Sequence, residues 1–130
     1  MVGEKPWEGA SVYPLNIVFD EKEKVFKFWY SGIVMRYEGE KFLGEIHRIC
    51  YATSKDGVHF QRPILGFVEY QGSKETNILH GLMGKPVRDD HDPDPNRRYK
   101  MTLWEHTAGD EAHPQGIYAA FSSDGIRWTR

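Results

Sequence analysis

The sequence predicts an all-β fold built from two similar four-stranded antiparallel units, and three observations carry that expectation. The first is a repeat: ICYATSKDGVHFQR at residues 49–62 returns as IYAAFSSDGIRWTR at residues 117–130, with 68 positions separating Asp56 from Asp124. At that offset Ile49 matches Ile117, Ala52 matches Ala120, Ser54 matches Ser122, Gly57 matches Gly125 and Arg62 matches Arg130, while Phe60 and Trp128 form an aromatic pair. The second is local. In both copies Asp-Gly separates two strand-like runs, and glycine enters positive φ freely while aspartate bonds nearby amides, which makes a tight turn. The third is composition: aromatics make up 14% of the 130 residues and glycine supplies 13, without long runs of helix formers at helical spacing.

Strands are expected in the first unit (13–62) at Tyr13 to Phe19, Val25 to Ser31, His47 to Ser54 and Val58 to Gln61. The second unit (85–130) repeats them at Lys85 to Arg88, Arg98 to Trp104, Gly116 to Ser122 and Ile126 to Arg130. An acidic turn opens each unit's first hairpin, DEKEK from Asp20 and DDHDPDPNR from Asp89. With a few residues of gap, VFKFWYS (25–31) corresponds to RYKMTLW (98–104), making Trp29 and Trp104 near equivalents. A crossing segment, 63–84, joins the units. One twisted sheet leaves an apolar face uncovered and a neighbouring copy covers it, so the units read as consecutive blades of a β-propeller. A two-sheet sandwich uses a similar number of strands but has no reason to write its halves alike. Two blades cannot close a ring. The expectation is therefore a single domain fragment of a longer propeller, or copies that self-associate through exposed blade faces or edges.

The formal net charge of −2 offers no basic field for phosphate backbones, so nucleic acid is not an expected partner. Cys50 is the one cysteine and sits in an apolar run, where it reads as a small buried hydrophobe. MVGEKPWEGA has no apolar core of signal-peptide length, and no later stretch is long enough to span a membrane, so neither a membrane partner nor a compartment is indicated. The six histidines lack zinc-site spacing, and prolines 93 and 95 break the spacing a calcium loop needs among Asp89, Asp90, Asp92 and Asp94. No metal and no cofactor is expected. Neither a nucleotide-binding glycine pattern nor a nucleophile-and-base arrangement is evident.

YATSKDGVHFQRPILGFVEYQGSKETNIL (51–79), VRDDHDPDPNRRYKM (87–101) and AAFSSDGIRWTR (119–130) resemble the five-bladed β-propeller superfamily of glycoside hydrolases, which contains invertase-like and arabinanase-like enzymes and many uncharacterised relatives. The resemblance covers about two blades of the five. It implies a glycosidase-like fragment that binds carbohydrate in a central pocket, with glycoside hydrolysis by paired carboxylates. In the invertase-like branch an Arg-Asp-Pro motif supplies a carboxylate that stabilises the transition state, and Arg88-Asp89 looks like its first two residues, with Asp90 at the proline position. The Asn-Asp-Pro-Asn nucleophile motif and the Glu-Cys acid motif of that branch are absent. The alternative is a non-catalytic propeller module for glycan or protein binding, or a blade assembly with no active site.

Glycoside hydrolysis uses two carboxyls held roughly 5 to 10 Å apart, one protonating the leaving oxygen and one activating water or attacking the sugar. Asp89 is the first catalytic candidate, because it lies nearest the end of an innermost strand. Glu69, in the crossing segment, and Glu105, beside His106, are the others. Asp20, in the matching acidic turn, Trp7, Asn77 and Arg88 are the substrate-binding candidates. Aromatic faces suited to sugar rings also occur at Tyr13, Tyr30 and Tyr70, while Trp29 and Trp104 read as packing between sheets. Asp56 and Asp124 read as hairpin turns pinned by Phe60 and Trp128.

Overall fold

The computed structural model describes residues 3–79, 84–105 and 116–130. Those residues are all-β apart from two short 3-10 turns, Pro6–Glu8 and Pro95–Arg97. The strands are β1 (Ser11–Asp20), β2 (Val25–Glu38), β3 (Lys41–Ser54), β4 (Val87–Arg88), β5 (Tyr99–Glu105) and β6 (Gly116–Ser122). They make two three-stranded antiparallel sheets, β1-β2-β3 and β4-β5-β6, one in each of two compact units, Met1–Gly81 and Leu82–Arg130.

Each sheet has three strands where four were expected. The segments expected as fourth strands, Val58 to Gln61 and Ile126 to Arg130, are reduced to single bridges, Thr53 with Gln61 and Phe121 with Thr129. The cause is the Ser-x-Asp-Gly turn itself. Ser54 Oγ accepts from the Gly57 amide at 2.9 Å, and Asp56 Oδ1 accepts from the Val58 and His59 amides at 2.8 Å each. Side chains thus satisfy the amides that a fourth ladder would have used. The second hairpin runs longer than expected. GIVMRYEGEKFLGEI, between the strands expected to stop at Ser31 and start at His47, pairs on itself out to Glu38 with Lys41, and the Tyr37 and Phe42 rings meet at 5.5 Å. Cross-strand aromatic contact stabilises such a ribbon.

Pro14 lies inside β1, which tolerates it as the edge strand of its sheet and shifts register between Pro14 and Asn16. In the first unit Tyr30, Cys50, Ala52 and Ile78 form a buried cluster, with Phe28, Phe60, Val68 and Tyr70 packed against it. Trp29 and Tyr51 are buried on the opposite face, rings 5.7 Å apart. The described part of the crossing segment returns to the outer edge of β3: Asn77 O accepts from the Tyr51 amide at 3.0 Å and the Leu79 amide donates to Ile49 O at 2.8 Å. The second unit has a smaller cluster, Met101, Leu103 and Ala120 with Tyr118 and Trp128.

Trp29 and Trp104 are not equivalents. Trp29 pairs with Tyr51 while Trp104 pairs with Ile117, the counterpart of Ile49, so Trp104 occupies the position of Ser31. A two-residue slip keeps a side chain on the same face but moves it along the strand. Trp29 is accordingly buried and Trp104 is 52% exposed.

Candidate functional site

The first unit gathers its polar groups around the chain preceding β1. Gly9 bridges Ile33, laying the Pro6–Glu8 turn across β2. Close approach demands glycine at position 32, where a Cβ would sit 2.6 Å from Glu8 Cα. This docking carries Trp7 and Glu8 onto the face of the sheet that holds Tyr30 and Cys50.

Glu8 is 0% exposed. Its Oε1 accepts from Tyr30 OH at 2.5 Å and from Arg62 Nε at 2.6 Å, and its Oε2 accepts from the Glu4 and Lys5 amides at 2.7 and 3.0 Å. Asn77 Nδ2 donates to Tyr30 OH at 2.7 Å and to Tyr51 O at 2.8 Å, while its Oδ1 accepts from Trp7 Nε1 at 2.8 Å. One continuous chain therefore runs Trp7, Asn77, Tyr30, Glu8, Arg62. Tyr70 packs edge-on against Trp7, ring centroids 5.9 Å apart. Such fully connected networks lock rotamers because every buried polar group has a partner.

Burial works to raise the Glu8 carboxyl, but the bonds from Arg62, Tyr30 and the two amides outweigh it and hold the group below its ordinary value. Burial, then the Glu8 carboxylate, drives the Tyr30 phenol far above its usual range. Burial and the same carboxylate push the Cys50 thiol up to about 12. The network thus has one fixed charge pair and two groups that stay protonated, which suits holding and orienting rather than moving a proton.

In the second unit the acidic turn closes on a lysine. Lys100 Nζ lies 2.5 Å from Asp89 Oδ2 and 2.7 Å from Asp92 Oδ2, and the His91 amide donates to Asp89 Oδ1 at 2.9 Å. Lys100 first of all holds both carboxyls below the usual carboxylate range. Arg88 Nε reaches Asp90 at 2.7 Å, and Asp94 caps the Pro95–Arg97 turn through the Asn96 amide. The first unit has the same clasp: Lys27 Nζ lies 3.2 Å from Asp20 and 2.8 Å from Glu23, and Asp20 Oδ1 accepts from the Lys22 and Glu23 amides.

Among the sequence candidates, Trp7 and Asn77 come together directly. Asp89 and Arg88 lie in the second unit, joined to Lys100 and Asp90 respectively. Asp20, expected to touch substrate, is instead 0% exposed, because its carboxylate organises the β1–β2 turn and pairs with buried Lys27. Glu69 is exposed on the loop before Tyr70. Glu105 ends β5, and its side chain and His106 lie outside the described residues.

Glu8, Tyr30 and Arg62 were not legible as a set, since Arg62 reaches back 54 positions to Glu8. A second spatial constellation was also invisible in the sequence. Ser31 Oγ lies 3.2 Å from His47 Nδ1, and His47 Nε2 lies 2.7 Å from Glu45 Oε1. Ser31 is 5% exposed in the central strand, paired to Tyr13 on one side and Ile49 on the other. Ser31 lies on β2 and His47 and Glu45 on β3, so this chain of bonds ties the two strands together.

No family model, curated protein or solved structure matches this chain.

Proposed function

We propose that the chain supplies two blades of a five-bladed, glycosidase-like β-propeller and that its first unit binds carbohydrate beside Trp7. The observation that carries this reading is the bond from Trp7 Nε1 to Asn77 Oδ1. It fixes a partly exposed indole by its polar edge, beside Tyr70, and a fixed aromatic face is what stacks on the apolar face of a sugar ring. The blade assignment draws support from the two Ser-x-Asp-Gly turns and two lysine clasps that recur in matching places of both sheets.

Glycoside hydrolysis pairs a protonated acid with an ionised carboxylate; Asp89, held low by Lys100, suits only the second role, and Glu8, sealed and held low, does not supply the acid. Of the two readings, the fixed indole face of Trp7 carries glycan binding by the blade pair, and in the hydrolase reading Asp89 is the transition-state carboxylate. Exposed Tyr13 and Ile17 on edge strand β1 support self-association, which sedimentation would register as species larger than a monomer.

Calorimetry against neutral arabino-, xylo-, fructo- and manno-oligosaccharides tests the reading. Binding by the native chain and a loss of tenfold or more in Trp7→Ala is the expected result; equal binding by the variant would remove Trp7 from the site. Aryl glycosides of the same sugars test hydrolysis. Turnover that is unchanged in Asp89→Asn would remove that residue from any mechanism.

A further inference from the structure

Next to the Trp7 shelf stands a cation that the network does not use. Arg48 projects from β3 opposite Gly32, on the same face as Cys50 and Tyr30. Its guanidinium carbon lies 5.1 Å from the centroid of the Tyr70 ring, and Tyr70 in turn packs edge-on against Trp7. Arg48 Nη1 is closed off from solvent and meets no acceptor among the described residues. A covered donor without a partner is unfavourable, and a charged one more so, so its persistence points to an acceptor that arrives from outside. The buried acid on this face, Glu8, is engaged by Arg62, Tyr30 and two amides.

We infer that the Arg48–Tyr70–Trp7 corner takes one anionic substituent, a carboxylate or a sulfate ester, carried on a saccharide. The inference rests on the carbohydrate reading and narrows its substrate class. Arg48 is partly exposed as a residue, so an oxyanion can approach it from solvent, and binding would turn the side chain about its aliphatic torsions to bring the sealed Nη1 to the ligand. The planar fork gives two parallel bonds to such a group, which a point charge does not. The Tyr70 ring keeps the guanidinium beside the shelf as a cation–π partner, and the adjoining indole receives the sugar ring that carries the charge.

The full chain is titrated by calorimetry with three probes of equal length: a neutral galacto-oligosaccharide, an oligogalacturonate and a sulfated galacto-oligosaccharide. At least one acidic probe is expected to bind tenfold or more tightly than the neutral one, with an advantage that shrinks as salt rises. Which acidic probe gains the advantage separates carboxylate from sulfate. Arg48→Gln, with its thermal melt as folding control, should erase the advantage and leave neutral binding unchanged. Arg48→Lys keeps the charge without the fork and should lose at least threefold of the preference; it decides the matter if Arg48→Gln does not fold. Equal binding of acidic and neutral probes, or a preference that survives these substitutions, overturns this inference and leaves the carbohydrate reading standing. Binding of none of these or of the earlier neutral oligosaccharides overturns both.

Discussion

The two sheets use the same lysine clasp and bury it to opposite extents. In the first, Lys27 and Asp20 are 1% and 0% exposed; in the second, Lys100, Asp89 and Asp92 are 26%, 31% and 10% exposed. The β1–β2 turn of the first unit has four residues between its strands, short enough for Phe19 and Phe26 to meet across it at 4.9 Å. The second unit's turn runs through a capped 3-10 segment and leaves Asp89 and Lys100 part-exposed, with Asp92 more covered. One local motif therefore becomes an interior staple in one place and a solvent-facing acidic turn in the other. Ion-pair energetics make the difference consequential, since a buried pair cannot lose one partner cheaply whereas an exposed one can.

Removing the cation tests that contrast most strongly. Lys27→Met should destabilise the chain by about 3 kcal/mol, at the lower end for a broken buried pair because Asp20 keeps its two amide bonds. Lys100→Met should change stability by less than about 1 kcal/mol. Urea unfolding of the two variants makes the measurement, and equal losses would mean that the clasps do not differ in the way their burial implies.

The Asp-Gly turns sharpen the comparison at a smaller scale. Gly57 and Gly125 have φ of 76° and 78°, so alanine at either should cost about 1 kcal/mol in backbone strain. At Gly57 the added Cβ also meets the Phe26 ring at 3.3 Å, so Gly57→Ala should lose more than the backbone cost unless the ring tilts away. Thermal melts make the measurement, and a Gly57→Ala loss no larger than the backbone cost would mean that the ring gives way.

The smallest expected effect distinguishes the turns by pH. The first turn pairs Asp56 with His59 at 2.7 Å, and the second pairs Asp124 with Arg127 at 3.1 Å. Asp56 raises the His59 imidazolium above its ordinary value of 6.5. A raised folded value contributes stability fully below the unfolded value, and that contribution fades as pH climbs through the folded one. Proton-detected titration of His59 should give a midpoint above 6.5 that falls to the ordinary value in Asp56→Asn, and a midpoint indifferent to that substitution would dissolve the pair.

Much of this was legible before any coordinates. The Ser-x-Asp-Gly turns, the acidic starts at Asp20 and Asp89, and the aromatic partners Phe60 and Trp128 all depend on residues within a few positions of one another, where periodicity and turn chemistry act. The fourth strands were misjudged because Ser54 and Asp56 satisfy amides that alternation alone assigns to a ladder. The long β2–β3 ribbon was missed because its pairing is recognisable only once both strands are extended together. Trp7 and Asn77 were each named as substrate-binding candidates, yet their bond across 70 positions was not.

By itself, the sequence determined the all-β class, the repeated order of strand and turn, and the places where aspartate and glycine reverse the chain, because those follow from short-range sterics and local hydrogen bonding. Tertiary structure alone decided that Glu8 is a sealed carboxylate, that Asp20 is buried while Asp89 is not, and that Arg48 stands over Tyr70 with a donor unmatched. Burial, ionisation and the pairing of polar groups depend on which distant segments exclude water from one another, and no local pattern of residues encodes that.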